Sequence, residues 1–148
     1  MLDWRLWTKT VESEDASQWE PRSTEELGFI VGALTRVFAR QYYRATNGKD
    51  FLKHRVMTFG ADLKTRDIIH RGLARFSELA RRLDMRLPAP LREWAAAATI
   101  KCIGMESSLR KDSDIFVASF WAGYELCPAN LFSTQEKVTE GAEDGETG

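Results

Sequence analysis

Histidine and cysteine are scarce in this chain: its 148 residues hold two of each. His54 and His70 stand too far apart to share a helical metal site, and no H-E-x-x-H motif occurs. His70 reads as a packed histidine. His54 sits between Lys53 and Arg55, where simple exposure and a phosphate contact are both open. Cys102 and Cys127 show no metal or redox spacing, and two cysteines do not make a disulfide scaffold. They read as small buried residues in a reducing compartment. No local feature pairs either thiol with a histidine as nucleophile and base. Asp112-Ser113-Asp114 reads as a helix cap before an apolar run rather than a metal site. Gly-rich phosphate loops are missing, since Gly28 and Gly32 fall inside a helical pattern. The expectation is a protein with no catalytic residue, metal or cofactor.

Long apolar runs are missing as well. None approaches the roughly 18 uncharged residues of a membrane-spanning helix. The opening MLDWRLW lacks the basic and apolar regions of a signal peptide. A cytoplasmic location without a membrane partner is expected. No strand pattern and no internal repeat is evident.

A third absence is more informative. No acidic residue lies between positions 27 and 49. The net charge of −1 hides this asymmetry. Residues 1–33 carry three basic and seven acidic residues, and residues 93–148 carry four and ten. Residues 34–92 carry fourteen basic and five acidic, a net of +9. A basic middle between acidic ends suggests a face for a polyanion.

What is present is a core. Apolar residues make up 43% of the chain, and 11% of the chain is aromatic. Residues 1–22 form an arm with Trp4, Trp7 and Trp19, expected to be irregular apart from a short helix or strand at Leu2–Trp7, and docked by its tryptophans. Ser23 and Glu26 have capping-box spacing and open a helix to Tyr43 or Arg44, closed by the turn Asn47-Gly48. Leu27, Ile30, Val31, Leu34 and Phe38 follow the helical period. Gly28 and Gly32 share one face. Each glycine costs about 1 kcal/mol in a helix interior, so the pair implies close approach of another helix.

Residues 50–60 read as a short helix. A longer one follows from Asp62 or Thr65 to about Leu83, with a core stripe of Ile68, Ile69, Leu73, Phe76, Leu79, Ala80 and Leu83. Pro90 suits the start of the next helix, LREWAAAATIKCIGM. SSLRKDSD reads as a polar connection, and Asp112 or Ser113 caps a last helix, DIFVASFWAGYEL. That helix is apolar nearly all round and is expected to be the most buried element. The chain is therefore predicted to be all-α: an arm (1–22), a compact bundle of about five helices (23–133), and a disordered acidic tail (134–148).

The cations fall at helical spacing. Arg36, Arg40 and Arg44 form one stripe, and Arg71, Arg75 and Arg82 a second. Lys49, Lys53 and Arg55 fill the connection. A solvated face, or salt bridges between subunits, would also accommodate such runs. A solvated face normally mixes signs, however, and guanidinium forks match phosphate oxygens in pairs.

Three stretches carry a resemblance. EELGFIVGALTRVFARQYYR contains G-x-I-x-G-x-L; KDFLKHRVMTFGADLKTRDIIHRGLARFSELARRLDMRLP follows; FWAGYELCPANLF lies near the end. Together they resemble the C-terminal helical region of the large subunit of type I-B (or related type I) CRISPR Cascade complexes, a region also made separately as the small subunit by internal translation. The resemblance covers roughly residues 23–133 and leaves out the arm and the tail. It implies an all-helical, non-catalytic subunit that supports the guide RNA–target DNA duplex. It further implies a basic groove for the displaced DNA strand, and contact with backbone subunits, the large subunit and further copies of itself. On this chain the groove would be Arg36, Arg40, Arg44, Lys49, Lys53, Arg55, Arg71, Arg75 and Arg82, an assignment that rests on charge. The alternatives are a helical adaptor or phage-type inhibitor without nucleic-acid contact, and a small helical enzyme.

Overall fold

In the computed structural model, residues 9–12, 15–49, 76–129 and 131–132 are described. All regular structure among them is helical, as predicted. Five helices carry the fold: α1 (Thr24–Ala45), α2 (Phe76–Arg82), α3 (Ala89–Gly104), α4 (Glu106–Lys111) and α5 (Ser113–Leu126). A further helical turn covers residues 9–12. The predicted helix at 50–60, the first part of the one at 62–83, the segment Leu2–Trp7 with Trp4 and Trp7, and the tail lie outside the described residues.

α1 starts where its cap demands. Ser23 is extended, and its Oγ accepts the Glu26 N–H at 3.1 Å. The Glu26 carboxylate reaches past the cap residue. One oxygen accepts the Arg22 N–H at 2.8 Å and the other the Trp19 indole N–H at 3.1 Å. A carboxylate that is almost wholly buried thus satisfies a helix start and holds the arm. Trp19 completes the docking by tilting against Trp94 of α3 at 5.3 Å. Lys101 of α3 pairs with Glu20 beside it.

α1 ends in a left-handed residue, Asn47 (φ 56°), with the Gly48 N–H on the Tyr43 carbonyl at 2.9 Å. Asp84 (φ 52°) closes α2 in the same way, with the Met85 N–H on Ala80 at 2.7 Å. Phe76 of α2 stacks on Phe38 of α1 at 4.1 Å, with the ring planes nearly parallel. Both rings are buried, and each such burial contributes about 1.5–3 kcal/mol. Leu79 and Ala80 join the core as predicted, whereas Leu83, at the helix end, is exposed.

The centre of the fold is the seam between α1 and α5. A Cβ on Gly28 would lie 2.7 Å from the Phe116 carbonyl oxygen, one on Gly32 1.9 Å from that of Phe120, and one on Gly123 2.0 Å from that of Phe29. Backbone touches backbone, which answers what Gly28 and Gly32 are for. The seam keeps one register: Gly28 meets Phe116, Gly32 meets Phe120, Arg36 meets Tyr124 and Arg40 meets Pro128. The partner is each time 88 positions later. Both chains ascend together, so α1 and α5 run parallel and α2–α4 belong to the return.

Two expectations are corrected. The polar connection SSLRKDSD contains a helix, α4, held by the Glu106–Arg110 pair at 2.9 Å and by buried Leu109. Among the described helices the most buried is α1, with 15 of its 22 residues inside, and not α5, with five of 14. α1 lies between α5 and α3, while α5 leaves Ile115, Trp121 and Leu126 exposed. Asp112 takes the N-cap position of α5, as expected, but its side chain makes no capping bond.

Candidate nucleic-acid interface

The nine cations do not share one fate. Lys53, Arg55, Arg71 and Arg75 lie outside the described residues. Arg44, Lys49 and Arg82 are exposed. Arg44 stands in the last turn of α1 and Lys49 just beyond its closing turn. Arg82 is 3.9 Å from Glu78, an exposed pair that contributes little. Arg36 and Arg40 are half-buried against α5.

Arg40 is occupied within the chain. Nη1 donates to the Pro128 carbonyl at 2.8 Å, and Nη2 to the Cys127 carbonyl at 2.9 Å. The cause lies in α5. Its last turn holds no basic residue, and Pro128 stops it without an N–H to turn back. Its final carbonyls therefore need donors, and the negative end of the helix dipole favours a cation. The parallel seam delivers Arg40 to that point.

Arg36 sits one turn earlier, its guanidinium carbon 4.7 Å from the centre of the Tyr124 ring. Its Nε is buried without a hydrogen-bond partner. The reading of Arg36, Arg40 and Arg44 as one row facing away from the chain is thus corrected for two of the three. A local acid is absent, but carbonyls and an aromatic face replace it. Only Arg44 points the row outward.

The thiols are structural. Burial pushes Cys102 up to about 12. Burial also pushes Cys127 up, to about 11, against the opposing pull of Arg40 and Arg36. Cys127 Sγ also lies 3.5 Å from the Ala33 carbonyl, inside the seam. At neutral pH both remain protonated, the weakly nucleophilic form. Both histidines lie outside the described residues, among which no cluster of metal-ligating side chains occurs.

Further exposed cations, Arg81, Arg86 and Arg92, gather where α2 ends and α3 begins. They had no helical stripe to reveal them, though the +9 segment contains all three. Trp121 was likewise absorbed into the apolar pattern of α5, yet it is 38% exposed.

No family model, no curated protein and no solved structure matches this chain. No helix among the described residues is long and apolar enough to cross a membrane.

Proposed function

We propose that this chain is a non-catalytic subunit of a CRISPR RNA-guided Cascade complex, supporting the guide RNA–target DNA duplex and the displaced DNA strand through its basic middle segment. The carrying observation is the net charge of +9 over residues 34–92, with exposed Arg44 and Lys49 on one flank and Arg81, Arg82, Arg86 and Arg92 on the other. Arginines there would neutralise phosphates and release counterions, so binding weakens as salt rises. Contacts of that kind carry little sequence information, which base pairing by the guide would supply. Its partners would be guide RNA, both DNA strands, the backbone and large subunits, and further copies of itself, in the cytoplasm.

The second reading, a helical adaptor without nucleic-acid contact, is favoured by one observation. α5 exposes Ile115, Trp121 and Leu126, an apolar face that a protein partner would cover.

The test changes Arg44 and Lys49 to glutamate and leaves the structural Arg40 alone. Single-strand DNA affinity is measured as a function of salt, and co-purification with guide RNA is scored. The expected result is weaker binding with a flatter salt slope, each lost phosphate contact lowering the slope by about 0.7 for a single strand. Unchanged affinity and slope would select the adaptor.

A further inference from the structure

Trp121 takes no part in a purely electrostatic contact. Its ring is fixed by edge contacts with Phe120 (5.2 Å, 83°) and Tyr124 (5.9 Å, 75°). It nevertheless remains exposed, on a helix whose neighbouring Phe116 and Phe120 are fully buried. One turn earlier stands Ala118, too short to cover it. The Tyr124 ring that braces Trp121 also carries the Arg36 guanidinium. Among the described residues Arg36 makes no hydrogen bond, and its Nε is buried without one.

We propose that Trp121 and Arg36 form a subsite for one nucleotide of a single strand, the indole stacking on an unpaired base and the guanidinium holding the adjoining phosphate. The inference rests on the polyanion reading and adds a base contact to it. A nucleotide supplies both an apolar π-face and anionic oxygens. An apolar peptide supplies only the first and offers no partner to a guanidinium. Glu125, exposed one turn beyond Trp121, disfavours a phosphate on its own side. Stacking of this kind tolerates any base, because each presents a π-face.

The experiment compares two probes on the full chain at low salt: oligothymidylate of about 12 nucleotides, and an abasic strand of equal length. Trp121→Ala should weaken oligothymidylate binding about 5- to 100-fold and leave the abasic strand unaffected. Trp121→Phe should retain most of the affinity. Oligothymidylate should quench wild-type tryptophan fluorescence, and Trp121→Phe should abolish most of that quenching, a readout that serves if the alanine variant does not fold. Equal loss on both probes, or quenching that survives Trp121→Phe, would overturn the subsite. Unchanged oligothymidylate binding in Trp121→Ala, with binding lost in the Arg44→Glu/Lys49→Glu variant, would remove the stacking contact and leave the polyanion reading standing. Failure of the wild-type chain to bind either probe would remove both.

Discussion

Gly32→Ala isolates the α1–α5 seam. Two effects of opposite sign meet at this position. Alanine is the better helix former by about 1 kcal/mol, which favours the variant. Against this, the new Cβ would lie 1.9 Å from the Phe120 carbonyl oxygen, 2.8 Å from its carbon and 2.9 Å from the Tyr124 nitrogen. All three neighbours are backbone, so no side chain can rotate away. Ordinary contact begins near 3.4 Å. The helices must therefore part by roughly 1.5 Å, and a gap of even 0.5–1 Å forfeits a quarter to a half of a dispersion contact. That loss runs along the whole register from Gly28 to Gly123. Overpacking typically costs about 1–3 kcal/mol and more where relaxation is blocked, so a net destabilisation of about 2 kcal/mol or more is expected. Gly104→Ala provides the control, because a Cβ there meets nothing within 4 Å. It makes the same chemical change and should stabilise by up to about 1 kcal/mol. Urea unfolding followed by circular dichroism, with m-values compared, measures both variants. If Gly32→Ala matches Gly104→Ala, the seam is not held backbone to backbone at this position. Gly123→Ala should resemble Gly32→Ala, and the double variant should lose less than the two together, since helices already parted admit the second methyl.

Arg40→Met removes the two donors on the Cys127 and Pro128 carbonyls while keeping a similar apolar stem; a loss of about 2 kcal/mol in urea unfolding is expected, and an unaltered midpoint would deny Arg40 its capping role. Both thiols should resist alkylation near pH 8, where a folded value of about 11 leaves a thiolate fraction on the order of one in a thousand at Cys127. The folded thiols hold their protons to higher pH than unfolded ones, whose ordinary value is 9.0. Their contribution is therefore complete below that value and is lost as pH rises toward about 11 and 12. Stability that rises between pH 9 and 11 in the wild type relative to a Cys102→Ala/Cys127→Ala variant would contradict this.

Much of α1 could be read directly. Ser23, the spacing of Leu27 to Phe38, and Asn47-Gly48 are local signals, and each acts within a few residues of itself. Gly28 and Gly32 announced a close neighbour because nothing else justifies two glycines in a helix. Their partner could not be named from α1 alone, since Gly123 becomes informative only when the two helices are known to be parallel. The fate of Arg40 was illegible for the same reason. It depends on where α5 ends, and no short-range pattern joins position 40 to position 128. The burial of α5 was overestimated because apolarity tells which residues avoid water, not which helix receives the central place. α1 received it, with α5 and α3 both packed on it, and Trp121 was left outside. The short helix α4 escaped notice because its support, one i,i+4 pair and one buried leucine, is too small to outweigh its polar composition.

The 88-residue offset of the seam also sets an order of events during synthesis. Translation at about 5–20 residues per second separates α1 from its partner by about 4–18 s. Local helix formation takes microseconds or less, so the α1 segment samples its helix long before α5 can cover it. For that interval its glycine-lined apolar face is open to any other surface, and closing so long a loop slows the step that ends the exposure. Among the described helices, the surface that covers most of α1 is thus the last to be made.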